Sequence, residues 1–289
     1  MKTPAAIPGG GGTWKNSSLK FLTADGYLSP KEAARNLGEL DDATGTSIFD
    51  PVLCELVYRW FCPPDGAVLD PFAGGSVRGI VAAMLGRQYM GVDLSARQIE
   101  ANVVQWKNIE KRISPHAPRW MAGDSRDLAR LVKGEYDLLF TCPPYANLEI
   151  YSDDEADIST LEYGDFLKAY TTIIAAAVGM LRSDRFACFV VGDVRGKDGF
   201  YVNFVADTVK AFQAAGCRLY NDAVLITAIG SLPIRAGKAF TSGRKLGKTH
   251  QNVLVFVKGD WRKAVATCGA LAETDFGEVL DILNVNSFS

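Results

Sequence analysis

Three carboxylates and one thiol each close an apolar run in this chain: Asp70, Asp93, Asp124 and Cys142. After Asp70 comes the turn Pro71 to Gly75, in which Gly74 and Gly75 let the backbone approach a ligand closely. Asp70 can offer its carboxylate to a positively charged group there. A phosphate is disfavoured, because Asp70 adds negative charge where a phosphate-binding loop presents Lys and open amides. Asp93 lies 23 residues further on, where sheets of this kind place an acid against ribose hydroxyls. A ribose without a phosphate suits both acids. Asp124 and Ser125, at the next strand end, can hydrogen-bond the amino edge of an adenine.

The elements that must carry these residues follow from apolar periodicity. Asp50 then Pro51 reads as a helix cap and first turn, and Val52, Leu53, Leu56, Val57, Trp60 and Phe61 repeat at helical spacing up to Pro63 and Pro64. A strand over 67–70 enters the glycine turn, and Val77, Ile80, Val81, Met84 and Leu85 form the buried stripe of a helix stopped by Gly86. A strand over 89–92 ends in Asp93. Ser95 with Gln98 then predicts a capping box for a helix that buries Ile99, Val103 and Trp106. The alternation continues with a strand over 136–141, a helix over 166–181, a strand over 186–191 and a helix carrying Phe204, Val205, Val209 and Phe212. The last two strands, over 219–229 and 253–257, are joined by a long loop. Strand and helix in alternation predict an α/β fold, a mostly parallel seven-stranded sheet covered on both faces, with an antiparallel pair at its edge. Ligands then bind beyond the carboxyl ends of the strands, where the acids stand.

The run Val68-Leu69-Asp70-Pro71-Phe72-Ala73-Gly74-Gly75-Ser76 resembles the S-adenosylmethionine (SAM) motif of the DNA adenine-N6 and cytosine-N4 methyltransferases, the amino-methyltransferases. Thr141-Cys142-Pro143-Pro144-Tyr145 resembles the catalytic signature of the same family, and 248–258 resembles its closing strand. The resemblance covers roughly 47–260 and implies a Rossmann-like SAM-dependent methyltransferase fold. It implies that Asp70, Pro71, Phe72, Gly74 and Gly75 surround the methionine part of the cofactor. Asp93 and Leu94 would hold the ribose, and Asp124 and Ser125 the adenine. Phe49 and Asp50, opening the first helix, would complete the pocket. In the catalytic segment two prolines fix the backbone, so the Pro143 carbonyl is available to accept from a substrate amine, and Tyr145 can stack on an extruded base. The family has Asp, Asn or Ser at the position of Cys142, which should supply a second acceptor. A neutral thiol is a weaker one, but cysteine is nearly isosteric with serine, and this inclines the reading to cytosine. Carbon-5 chemistry is disfavoured, because there the nucleophile follows a proline and here Thr141 precedes it.

The 289 residues carry a net charge of -2, which excludes a generally basic, DNA-coating protein, so contact with nucleic acid needs a local patch. Arg235, Lys238, Arg244, Lys245 and Lys248 supply one within 231–250, without an acid among them. This segment is expected to be a glycine-containing loop that orders on binding double-stranded DNA. Six cysteines without a CxxC pair point to reduced thiols in a cytoplasm, which the family resemblance implies is that of a bacterial or phage-infected cell, and two distant histidines give no zinc site. Residues 1–46, with Gly9 to Gly12, are expected to be an irregular arm, 47–260 the catalytic domain and 261–289 a C-terminal extension. The compact order of motifs, with no room for a large recognition domain, resembles stand-alone enzymes of bacteriophages and their hosts, of the restriction-modification kind. The oligomeric state stays open, a homodimer included. Two other functions fit the same residues: a catalytically silent DNA-binding protein, and a methyltransferase acting on RNA bases. A nicotinamide oxidoreductase is disfavoured, since the first turn lacks GxGxxG.

Overall fold

The computed structural model describes residues 21–23, 26–28, 49–110, 116–145, 156–196, 198–226 and 232–271, with side chains described from residue 49 onward and, in the last segment, from 236. Seven strands form one sheet: β3 (Ala67–Asp70), β4 (Gln88–Asp93), β5 (Arg119–Ala122), β6 (Tyr136–Thr141), β7 (Leu181–Val191), β8 (Cys217–Ile226) and β9 (His250–Lys258). Their order is β5-β4-β3-β6-β7-β9-β8. β3 to β7 run parallel, while β9 is antiparallel to both β7 and β8. The expected sheet with an antiparallel edge is therefore present.

Helices cover both faces. α1 (Pro51–Phe61), α2 (Val77–Met84), α3 (Ala96–Ile109), α4 (Leu128–Leu131), α5 (Tyr163–Met180) and α6 (Phe204–Ala214) precede α7 (Leu232–Gly243) and α8 (Trp261–Cys268). Successive strand residues point to opposite faces, and both faces are buried, which is why the strands read as continuous apolar runs. Leu69, Leu139, Phe189 and Phe256 pack under α5 and α6 with Phe166, Tyr170 and Phe212. Their neighbours Val68, Leu138, Cys188 and Val255 face the other way, against Cys54, Val57 and Tyr58 of α1. No helix among the described residues is long and apolar enough to cross a membrane.

Several local expectations change. Two short strands, β1 (Phe21–Thr23) and β2 (Gly26–Leu28), pair antiparallel within the segment expected to be irregular. Aromatic and branched residues on either side of Asp25 and Gly26 carry a hairpin signal. The capping box forms only by half: Ser95 accepts from the Gln98 amide, but the Gln98 side chain donates to Asn102 and the Ser95 amide goes to Asp93. The segment read as a loop holds α7 over Leu232–Gly243, with Pro233 in its first turn and only Gly237 inside, a cost of about 1 kcal/mol. Thr241 and Ser242 donate to carbonyls four residues back, and only 244–249, opening with Arg244 at φ +52, lack regular structure before β9. Helix α8 opens the expected C-terminal extension and packs on the main sheet through Ala264, which is fully buried. The N-terminal glycine run, residues 146–155 and the chain beyond 271 lie outside the described residues.

Candidate active site

The carboxyl ends of β3, β4, β5, β6 and β7 share one edge of the sheet, and antiparallel pairing brings the start of β9 to it as well. At that edge Asp70 is fully buried, and its carboxylate is committed to the protein. One oxygen accepts from the Phe72 amide at 3.1 Å and the Thr141 hydroxyl at 2.5 Å, the other from Arg78 Nε at 2.6 Å and the Tyr89 hydroxyl at 2.7 Å. Four bonds use the acceptor capacity of a carboxylate. The sequence suggests a carboxylate offered to a positively charged ligand group; instead Asp70 is engaged within the protein and shapes the turn.

Arg78 is the residue that sequence reading missed. It occupies the second position of α2, is 5% exposed, and donates to the carbonyls of Phe72 at 2.7 Å and Ala73 at 2.9 Å. Its guanidinium also lies 4.6 Å from the centre of the Phe49 ring, which ties the start of α1 to the glycine turn. Burial disfavours this cation, but the adjoining Asp70 carboxylate outweighs it and holds its pKa above the usual guanidinium value. An arginine in an eight-residue helix otherwise made of apolar and small residues, just after a strand-end acid, was the available signal. Asp50 caps α1 by accepting from the Val52 amide. Burial raises the Asp50 pKa.

The turn itself is open on its outer side. Gly74 has φ +50, a left-handed conformation that suits glycine, and a Cβ built on Gly74 or Gly75 would meet no atom within 4 Å. The Gly74 amide donates to one oxygen of Asp93 at 2.8 Å, and its carbonyl accepts from the buried Asn102 at 2.7 Å. The other Asp93 oxygen holds the Ser95 amide at 2.9 Å. Burial pushes the Asp93 carboxyl up, while these two backbone amides oppose the shift. Each oxygen keeps capacity for another hydrogen bond, as a pair of ribose hydroxyls requires. Leu94 beside it is half-buried.

At the end of β5, Ser125 donates to the Pro71 carbonyl at 2.6 Å and so locks this strand end to the turn. Asp124 caps the following turn and pairs with Arg126, whose hydrogen bonds outweigh partial burial and hold the carboxyl below its usual range. At the end of β6, Thr141 is fully buried and points back to Asp70, so it joins the two motifs rather than facing the cleft. Pro143 is buried, and Cys142, Pro144 and Tyr145 are half-buried. The Tyr145 hydroxyl accepts from Gln251 of β9 at 2.5 Å, and its ring meets Phe204 edge-on at 5.9 Å. Gln251 and Phe204 thus set the orientation of this ring. Of the basic residues, Lys238, Arg244 and Lys245 are exposed and Lys248 is half-buried, on α7 and the segment after it, between β8 and β9 at the same edge. The Arg235 side chain lies outside the described residues.

No family model and no curated protein matches the chain. Among solved structures, TrmN from Thermus thermophilus superposes with a TM-score of 0.51 at 15% identity, over 81% of this chain and 55% of that one, so the chain spans little more than half of TrmN. A TehB-like SAM-dependent methyltransferase from Corynebacterium glutamicum gives 0.46 at 17% identity, over 79% of this chain and 95% of that one. Magnesium protoporphyrin IX methyltransferase of Synechocystis PCC 6803, with bound SAM, gives 0.46 at 14% identity over 72% and 76%. At such identities the likeness is one of fold, and the fold is Rossmann-like, of the kind found in SAM-dependent methyltransferases.

Asp93→Ala removes a half-buried acceptor from the open side of the turn and frees the Gly74 amide. Hydrogen bonds to a charged acceptor are worth about 1.5–3 kcal/mol each, so SAM affinity measured by calorimetry is expected to fall about tenfold or more. An unchanged affinity removes the ribose role from this residue.

Proposed function

We propose that the protein binds S-adenosylmethionine and methylates the exocyclic amino group of an extruded base in DNA. One observation carries this reading: Thr141, at the head of the Pro-Pro-Tyr segment, is hydrogen-bonded to Asp70, at the head of the glycine turn, across 71 residues of sequence. The two motifs that resemble the amino-methyltransferase signatures therefore form one site. The open space over Gly74 and Gly75 and the remaining acceptor capacity of Asp93 suit the nucleoside of SAM. Phe49, Phe72 and Leu94 would line that nucleoside, and Asp124 would turn from Arg126 to reach it.

When bound, the cofactor supplies an electrophilic methyl group on its sulfonium. The residues of the chain have the harder task, because the lone pair of an exocyclic amine is delocalised into its base. Hydrogen bonds accepted from the amine protons localise that pair, and the carbonyl of Pro143, in a backbone fixed by Pro143 and Pro144, would take this role. Cys142 would be the second, weaker acceptor, and its likeness in size to serine favours cytosine N4 as the target. Tyr145, held by Gln251 and Phe204, would stack on the base. Lys238, Arg244, Lys245 and Lys248, with Arg235, would hold the phosphates.

Incubation with methyl-labelled SAM and either unmethylated duplex DNA or unmodified RNA, followed by nucleoside digestion and mass spectrometry, tests this directly. N4-methylcytosine or N6-methyladenine in DNA is the expected product. Label in RNA alone would transfer the same chemistry to an RNA base, 5-methylcytosine would overturn the amino-group assignment, and cofactor binding without transfer would leave a silent DNA-binding protein.

A further inference from the structure

Between β7 and α6 the chain makes a small hairpin that no part of the mechanism above uses. The Val202 amide donates to the Val194 carbonyl at 3.0 Å, Arg195 bridges Tyr201, and the Gly196 amide donates to the Phe200 carbonyl at 2.8 Å. Asp198 accepts from the Phe200 amide, and Gly199, at φ +87, closes the tip. Despite this order, Phe200 is 75% exposed. Two cations stand beside its sequence neighbours. The Arg195 guanidinium lies 4.0 Å over the Tyr201 ring and donates to the Gly199 carbonyl at 3.0 Å. Lys245 reaches across from the segment after α7: its Nζ is 2.9 Å from where a Gly199 Cβ would be.

Both legs of the hairpin are rooted at Tyr145. On one side a Cβ on Gly192 would sit 3.7 Å from the Tyr145 hydroxyl, and on the other the Phe204 ring packs against Tyr145. Phe200 is four residues from Phe204, so its Cα is at most about 14 Å from the residue that buttresses the base pocket, or about four base-pair steps. A hydrogen-bonded hairpin that holds a large apolar ring out in water, with two cations beside the residues next to it and its legs rooted at the pocket, fits a helical stack better than any open surface.

We propose that Phe200 is a wedge: it enters the base stack at the position that the target base vacates, while Arg195 and Lys245 hold the flanking phosphates. The proposal rests on the nucleic-acid reading above and adds the device that keeps the target base out of the helix. Extrusion is hardest from a matched pair and easiest from a mismatch. Phe200→Ala is therefore expected to slow methylation of a fully paired duplex by about tenfold or more, and to act within about threefold of the unaltered protein on a duplex mismatched at the target. Phe200→Leu, which keeps an apolar wedge, should retain most of the paired-duplex rate. Equal rates on the paired duplex, or an equal loss on both substrates, would overturn the wedge.

A second readout separates this proposal from the catalytic one. With 2-aminopurine at the target position, binding of the unaltered protein should raise fluorescence as the probe leaves the stack, and Phe200→Ala should abolish most of the rise. This requires no methyl transfer. If no nucleic acid is ever labelled but the Phe200-dependent rise is seen, the methylation reading fails and the wedge stands; a rise that does not depend on Phe200, or no rise at all, sinks the wedge.

Discussion

Arg78→Met is expected to cost about 3–5 kcal/mol of folding stability, because it leaves the carboxylate of Asp70 buried without its cation. Against a total of about 5–15 kcal/mol for a folded domain this is a large share, and the thermal midpoint should fall by roughly 6–20 °C. The same change releases the Phe72 and Ala73 carbonyls and the stacked Phe49 ring, so any protein that remains folded should bind SAM at least tenfold more weakly. Asp70→Asn combined with Arg78→Met removes the buried charge as well as its partner. The double variant should therefore be more stable than Arg78→Met alone, by an amount that measures the coupling of the pair. Thermal melts and calorimetry on the three variants decide the matter. If Arg78→Met melts and binds as the unaltered protein does, the pair does not organise the turn.

Tyr145→Ala is expected to lower turnover on DNA by about 100-fold while leaving SAM affinity within about twofold. Stacking of a base on an aromatic ring is worth about 1–3 kcal/mol, and the ring here is fixed in advance by Gln251 and Phe204. Tyr145→Phe keeps the ring and loses only the hydroxyl that Gln251 holds, so its loss should be a few-fold at most. Gln251→Ala should match Tyr145→Phe, since both cut the same hydrogen bond. Single-turnover rates at saturating SAM provide the comparison. Equal turnover of the alanine variant would remove the stacking role, and a phenylalanine variant as slow as the alanine one would mean that the hydroxyl, not the ring, matters.

What could be read from the chain alone was whatever depends on neighbours in sequence. The strand ends at Asp70, Asp93 and Thr141, the glycine turn between β3 and α2, the Asp50 cap and the antiparallel strands at the sheet edge all follow from local periodicity and turn chemistry. Local signals failed where a distant partner won. Gln98 completes no capping box because Asn102, which anchors the Gly74 carbonyl, takes its side chain. The basic segment reads as a loop from its glycines and lysines, yet Leu232–Gly243 is a helix.

The roles inside the site were decided by the tertiary structure. Asp70 reads as a ligand-facing acid because nothing adjacent in sequence neutralises it. Only folding brings Arg78, Tyr89 and Thr141, which come from three different elements, onto its two oxygens. Gln251 and Tyr145 are 106 residues apart and meet because β9 runs back antiparallel beside β7. Periodicity carries information about which face of an element is buried, since that depends on spacing along one segment. Which polar groups satisfy each other inside the core depends on how separate segments are stacked, and a buried carboxylate accepts whichever donors the packing delivers.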